Sequence, residues 1–316
     1  MEPIEKNMIT VIIPVYNEYE SIPYLVQRLN EFFGQHKHLN PEVIFVDDGS
    51  ADQSPLRLAE MRHHTYIAKM ISFSRNYGTH AALRAGILHA KGEYITFLYA
   101  DMQDPIENVI NMYEKALAGN DIVWAHRASE QSSFFERQFS KFYSRLMQKY
   151  VNRQYPTKGF DVILFNRKVA AVINNNIEAN SSIFLQVLNM GFCQDYIEYQ
   201  KLARQTGKSK WTIGKKIKLF IDSFVAFSYA PIRFVTIVGI TFFIVGVLWT
   251  TYIVIRKIFF QDLAAGWPAL ISILMIGFGI TNISLGIIAE YLWRTLDASR
   301  KRPVFIIDEI KELDKT

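Results

Sequence analysis

The sequence predicts an α/β protein built on a doubly wound, mostly parallel sheet and completed by a two-helix membrane hairpin. Three observations lead there. Short apolar runs alternate with helical patterns through the first 130 or so residues, three of those runs end in carboxylates and amides, and two long stretches near the C-terminus are almost free of charge. Alternating strand and helix signals are the pattern of a parallel sheet covered on both faces.

The strands come first. Thr10–Val15, Glu42–Val46, Lys69–Phe73, Tyr94–Leu98 and Asp121–Ala125 are short, apolar and often β-branched, as strands buried on both faces must be. Between them Ser21–Phe33, Ser54–His63, Thr79–Ala90 and Glu107–Ala118 repeat apolar residues at helical spacing. A further helical pattern, Ser132–Tyr150, gathers Phe135, Phe139, Phe142, Tyr143, Leu146 and Met147 on one face, with Arg137, Lys141 and Arg145 among them. Over Thr212–Tyr229, Ile213, Ile217, Phe220, Ile221 and Phe224 stand opposite Lys215, Lys216 and Lys218. That is the form of a helix lying in the membrane interface.

Phe234–Ile255 and Pro268–Ala289 follow. A helix of this length rises about 33 Å, enough to cross a hydrocarbon core of about 30 Å. Arg233, Trp249, Lys257, Trp267, Trp293 and Arg294 flank or border these stretches as interface anchors. The net charge of +5 is concentrated before the first stretch, at Lys208, Lys210, Lys215, Lys216 and Lys218, and after the second, at Arg294, Arg300, Lys301 and Arg302. By the positive-inside rule both termini and the large domain are expected in the cytoplasm; the membrane itself is expected to be the plasma (inner) membrane. Anionic headgroups account for the basic patches without nucleic acid. The expected division is a catalytic domain over 1–211, an interfacial helix over 212–231, a hairpin over 232–293 with spans near 234–255 and 268–289, and a cytoplasmic tail over 294–316. Cys193 is the only cysteine, which excludes an internal disulfide or a cysteine-based metal site and fits a reducing compartment. The apolar run at Thr10–Val15 is too short for a signal-peptide core.

The chemistry gathers at the strand ends. The first strand ends Pro14-Val15-Tyr16-Asn17-Glu18, the second Val46-Asp47-Asp48-Gly49-Ser50, and the fourth Tyr99-Ala100-Asp101-Met102-Gln103-Asp104-Pro105. In an open α/β sheet the carboxyl ends of the strands border the ligand crevice. Oxygen ligands placed there suit a hard divalent cation, and carboxylates accept hydrogen bonds from ribose hydroxyls and base N–H groups. No G-x-G-x-x-G follows the first strand and no P-loop is present, so a diphosphate here would be met by metal and basic side chains. The histidines, among them His63, His64, His80, His89 and His126, form no zinc pattern.

These strand-end motifs, together with Phe73-Ser74-Arg75-Asn76-Tyr77-Gly78 and Gly207-Lys208-Ser209-Lys210-Trp211 and followed by a hairpin, resemble the polyprenyl-phosphate glycosyltransferases. Those are inverting enzymes of GT-A fold, of the dolichol-phosphate mannose synthase and bactoprenol glucosyltransferase kind. The resemblance implies that Pro14, Tyr16, Glu18, Asp47, Asp48 and Asp101 hold a nucleotide-sugar, UDP-hexose in preference to a GDP-sugar. It implies Mg²⁺ or Mn²⁺ on Asp101 and Gln103. The acceptor phosphate, that of a polyprenyl chain such as undecaprenyl phosphate, would meet Arg127, Arg137, Arg204 and Lys210. Asp161, in Gly159-Phe160-Asp161 ahead of an apolar strand, is implied as a base or a positioning acid beside Asp101. The product would be a polyprenyl-phosphate monosaccharide for cell-envelope glycans, made by a homo-oligomer. Tyr99 departs from the family pattern, which has an acid there; either Asp101, Gln103, diphosphate and water hold the metal, or Asp104 joins them. Two other classes fit the sequence less well: a processive polysaccharide synthase, whose Q-x-x-R-W motif is missing here, and a non-catalytic membrane subunit that binds nucleotide-sugar or assists translocation of lipid-linked sugar.

Overall fold

A computed structural model describes residues 5–128, 134–150, 152–156, 162–176, 181–202, 230–260, 266–300 and 303–313. The chain divides into two compact units, Met1–Ser223 with Pro303–Thr316, and Phe224–Arg302.

The first unit is organised by a sheet of eight described strands: β1 (Glu5–Val15), β2 (Asn40–Asp47), β3 (Ile67–Phe73), β4 (Gly92–Phe97), β5 (Ile122–Arg127), β6 (Val162–Asn166), β7 (Gln194–Tyr199) and β8 (Ile307–Leu313). Their spatial order is β7-β5-β6-β4-β1-β2-β3-β8. β6 lies antiparallel between β4 and β5, β8 is antiparallel to β3, and the other described strands run one way. Each of the five expected strand runs becomes β1 to β5 with ends shifted by a few residues. They read continuously apolar because both faces are covered: Ile9, Val11, Ile12, Ile13 and Val15 of β1, and Val43, Ile44, Phe45 and Val46 of β2, are all fully buried.

The covering helices are α1 (Ile22–Gln35), α2 (Ser54–Glu60), α3 (Thr79–His89), α4 (Asn108–Leu117), α5 (Phe134–Tyr150), α6 (Arg167–Asn175) and α7 (Ile183–Leu188). α3 lies so close to β1 that a Cβ on Gly86 would stand 2.3 Å from Ile12 Cγ2. Arg84 on the same helix is only 1% exposed. Its guanidinium donates to Gln186 Oε1 and to Ser181 Oγ, both at 3.0 Å, and so ties α3 to α7. α6 starts where Asn166 turns its side chain onto its own helix, accepting from the amides of Lys168 at 3.1 Å and Val169 at 3.3 Å.

One expectation needs correction. Residues 294–316 do not follow the apolar region simply as a tail, because Ile307–Leu313 returns as β8 and completes the sheet beside β3. The segment escaped notice because most of it is exposed and polar, so it carries no buried-strand signal.

The second unit contains two long helices, α8 (Ala230–Phe260) and α9 (Trp267–Arg300), which contact each other. Large apolar side chains on both, among them Phe234, Ile244, Leu248, Phe278, Leu285 and Leu292, are exposed. Within α9 the stretch Ile276–Trp293 is long and apolar enough to cross a bilayer, and none of it is buried in the fold. The expected interfacial helix over 212–231 falls almost wholly outside the described residues.

Candidate active site at the carboxyl ends of the strands

β1 is the point where the sheet changes direction, since β2 and β3 extend to one side of it and β4 to the other. A crevice forms at such a switch point beyond the carboxyl ends of the strands. The registers Pro14↔Val46 and Val15↔Asp47 bring the expected residues of β1 and β2 to the same edge. β4 joins them there, its Phe97 beside Ile12 and the amide of Leu98 donating to Ile12 O at 3.0 Å.

The two loops are laced together. The Asn17 amide donates to Ser50 Oγ at 3.0 Å, Asn17 Oδ1 accepts from the Ala51 amide at 2.8 Å, and the Glu18 amide donates to Ser54 Oγ at 2.8 Å. Asn17 adopts a left-handed backbone, φ 52°, which an Asx side chain tolerates best among non-glycine residues. The Glu18 carboxylate accepts from Ser21 Oγ at 2.9 Å, so it is oriented before any ligand arrives.

Asp47 and Asp48 are both buried. Asp47 accepts from the Ser50 amide at 3.2 Å and closes its own turn. Asp48 reaches across to the loop after β3, accepting from the Tyr77 amide at 2.7 Å and the Gly78 amide at 2.9 Å. Burial raises both carboxyls above their usual range, Asp48 to about 6 even though those amides favour its ionised form. Gly49, φ 66°, is required where it stands: a Cβ there would lie 2.4 Å from the carbonyl carbon of Arg75.

At the end of β4 the chain turns through Tyr99–Met102, with the Met102 amide on Tyr99 O at 3.0 Å and Met102 left-handed at φ 48°. The turn leaves Asp101 half-buried, its Oδ1 near the Gln103 amide at 3.4 Å. Asp104 is placed differently. It is 3% exposed, accepts from Tyr199 Oη at 2.5 Å and faces Lys201 Nζ at 3.9 Å. Its carboxylate thus fastens the end of β7 to the β4 loop, a job the Leu202 amide shares by donating to Gln103 O at 2.8 Å. Among the described residues no group of three or more His, Cys, Asp or Glu gathers as a metal site. Asp101 and Gln103 offer one carboxylate and one neutral carbonyl, a set that fits Mg²⁺, which is commonly held by one or two carboxylates plus substrate phosphates.

Arg127 ends β5 opposite Tyr199 of β7, and is half-buried. Arg137 lies on α5, its side chain outside the described set. Asp161, Arg204 and Lys210 lie outside the described residues altogether. Sequence reasoning missed the Ser74–Gly78 loop as a partner of Asp48. The Phe73–Gly78 motif enters the sequence reading only through the family resemblance, and its partner lies 29 residues away in the chain. His80, at the start of α3, is held neutral, its pKa lowered to about 4 by burial and then by Arg84.

Residues 10–173 match the model of glycosyl transferase family 2. An uncharacterized glycosyltransferase of Bacillus subtilis is 34% identical over 95% of this chain and 93% of its own length. A prophage bactoprenol glucosyl transferase homolog of Escherichia coli is 31% identical over 96% of this chain and 99% of its own. The undecaprenyl-phosphate 4-deoxy-4-formamido-L-arabinose transferase of Photorhabdus laumondii is 31% identical over 100% and 97%. The family match over residues 10–173 and these full-length similarities, on a mostly parallel α/β sheet, lead to one conclusion: the chain belongs to glycosyl transferase family 2 and is a glycosyltransferase.

Proposed function

We propose that this enzyme transfers one sugar, with inversion, from a nucleotide-sugar to polyprenyl phosphate at the cytoplasmic face of the membrane. The observation that carries the reading is the convergence of Tyr16, Glu18, Asp48 and Asp101 on one sheet edge, in a chain similar over its whole length to relatives named for bactoprenol and undecaprenyl phosphate. Exposed apolar helices α8 and α9 support a membrane-embedded hairpin, since water would not leave so much apolar surface uncovered.

Tyr16, Glu18, Asp47 and Asp48 line the nucleoside end, with Pro14 shaping the strand exit. Asp48 organises that end by holding the Tyr77 and Gly78 amides. Asp101 and Gln103 would hold Mg²⁺ or Mn²⁺ at the diphosphate, where the ion offsets charge on the leaving group. Asp104 stays with Tyr199. Arg127, Arg137, Arg204 and Lys210 receive the acceptor phosphate; guanidinium groups bind such an anion bidentately. One phosphate oxygen attacks the anomeric carbon, the bond from that carbon to the diphosphate breaks, and nucleoside diphosphate departs. An ionised phosphate needs no base, so alignment supplies most of the rate and Asp161 positions rather than deprotonates. A hairpin confining enzyme and lipid to one surface raises the effective acceptor concentration. UDP-hexose is the preferred donor and the assembly is a homo-oligomer.

The test is incubation of purified full-length protein with undecaprenyl phosphate and a panel of radiolabelled UDP- and GDP-sugars, with and without EDTA. Labelled lipid from one donor, lost on chelation and restored by Mg²⁺ or Mn²⁺, is expected. No labelled lipid from any donor, with folded protein, sinks the reading; transfer indifferent to EDTA sinks only the metal assignment.

A further inference from the structure

The C-terminal segment carries more than the sheet edge. Phe305 lies parallel to Phe73, ring centroids 5.2 Å apart and planes 12° apart. Phe73 ends β3 and is packed edge-on against Tyr77, 5.7 Å away at 88°. The Ser74 amide donates to Ile306 O at 3.2 Å, and Tyr77 Oη lies 3.3 Å from Ser74 Oγ. The Arg75 guanidinium covers the Tyr77 ring at 4.3 Å. On its other side the same loop meets the end of β2: Asp48 takes the Tyr77 and Gly78 amides, and the backbone of Arg75 and Asn76 passes over Gly49. The loop after β3 is therefore gripped from two directions, by the Asp48–Gly49 turn and by the strap that leads into β8.

Only one of those grips is needed to end a strand. β3 already pairs with β2 and with β8, so its last residues are held by the ladders. What the Phe305 contact adds lies beyond the ladder, at the loop whose amides fix the Asp48 carboxylate. Side chains that lock a neighbour's geometry by packing are how a site is kept to productive tolerance.

We infer that the strap Pro303–Ile307, through Phe305, is a positioning element for nucleotide-sugar binding: it sets the Ser74–Gly78 loop and thereby the Asp48 side of the donor site. The inference rests on the donor-site reading above. Phe305 touches no reacting atom and acts through Phe73 and Tyr77. The consequence is that residues separated from the donor loops by the whole apolar region of the sequence control donor affinity.

The experiment compares full-length wild type, Phe305→Ala and Phe305→Tyr in detergent, by titration calorimetry with UDP and with GDP and by steady-state transfer to undecaprenyl phosphate. Phe305→Ala is expected to weaken nucleotide binding about tenfold and to raise donor KM by a similar factor. Its kcat, acceptor KM and melting temperature should stay near wild type, and Phe305→Tyr, which keeps the stacked ring, should restore donor affinity. Unchanged nucleotide affinity in Phe305→Ala overturns the inference. So does a loss spread equally over kcat, both KM values and melting temperature, or one that Phe305→Tyr fails to rescue. Calorimetry needs no turnover: a wild type that binds nucleotide but transfers no sugar defeats the proposed function while leaving the strap testable by affinity.

Discussion

Asp48 is the residue where folding and function pull against each other. It is 4% exposed, beside Asp47, and burial lifts its carboxyl to about 6 from an ordinary 3.8. Between those values the folded protein retains a proton that the unfolded chain has released. Stability therefore falls as pH rises from about 4 to about 6 and then levels off, by an amount on the order of 3 kcal/mol. Asp48→Asn cannot titrate. Melting curves of the two proteins from pH 4.5 to 7.5 should show the variant gaining on wild type as pH rises through that window and holding its gain above it; a constant difference would show that Asp48 ionises freely. Other residues teach a different lesson. Asp104 read as a spare metal ligand because sequence cannot show that Tyr199, 95 residues later, donates to it. Tyr99, by contrast, was visibly unlike a ligand from its side chain alone, since a neutral phenol offers Mg²⁺ little.

At the scale of elements, close approach decides what the pattern of apolar residues leaves open. α3 was legible as a helix, and its run of small residues Ala81, Ala82, Ala85 and Gly86 fits a helix pressed on a sheet. That Gly86 faces Ile12, however, is known only once β1 lies under it. Gly86→Ala gains helix propensity of about 1 kcal/mol. It also drives a methyl into Ile12 near its branch point, and overpacking of this kind costs about 1–3 kcal/mol. A net loss of up to about 2 kcal/mol is expected by chemical denaturation, and the same substitution should cost less in an Ile12→Ala background, which removes the crowded Cγ2 and Cγ1; a Gly86→Ala protein more stable than wild type would mean that the helix shifts freely. β6 and β8 illustrate the complementary limit. Val162–Asn166 is apolar enough to be foreseen as a strand, yet nothing local places it antiparallel between β4 and β5. Asp308, Glu309, Lys311 and Glu312 hide β8 because an edge strand need bury little.

At the scale of the whole molecule, the lone cysteine becomes a reporter. Cys193 is exposed, just ahead of β7 in the first unit. If that unit faces the cytoplasm, a membrane-impermeant maleimide should leave Cys193 unlabelled in intact cells or right-side-out vesicles and label it after permeabilisation. Labelling of intact cells would place the catalytic unit outside and reverse the orientation drawn from the lysines and arginines. The same preparation, extracted with alkaline carbonate, should retain the chain in the membrane fraction if the proposed hairpin, with its exposed Phe234, Leu248, Phe278 and Leu285, is embedded there.

By itself the sequence determined the α/β fold class, the runs that become β1 to β5 and, through the family resemblance, that the chain is a glycosyltransferase. Buried parallel strands are written as continuous apolar runs, and the residues released beyond them are written as acids, amides and glycines. Tertiary structure alone decided that Asp48 is tied to the Tyr77 loop, that Asp104 serves the fold, and that the last strand returns to the sheet behind Phe305. Those contacts join residues 29 to more than 200 positions apart in the chain. No local pattern encodes such a pairing; it exists only where the sheet order brings the partners within hydrogen-bonding or packing distance.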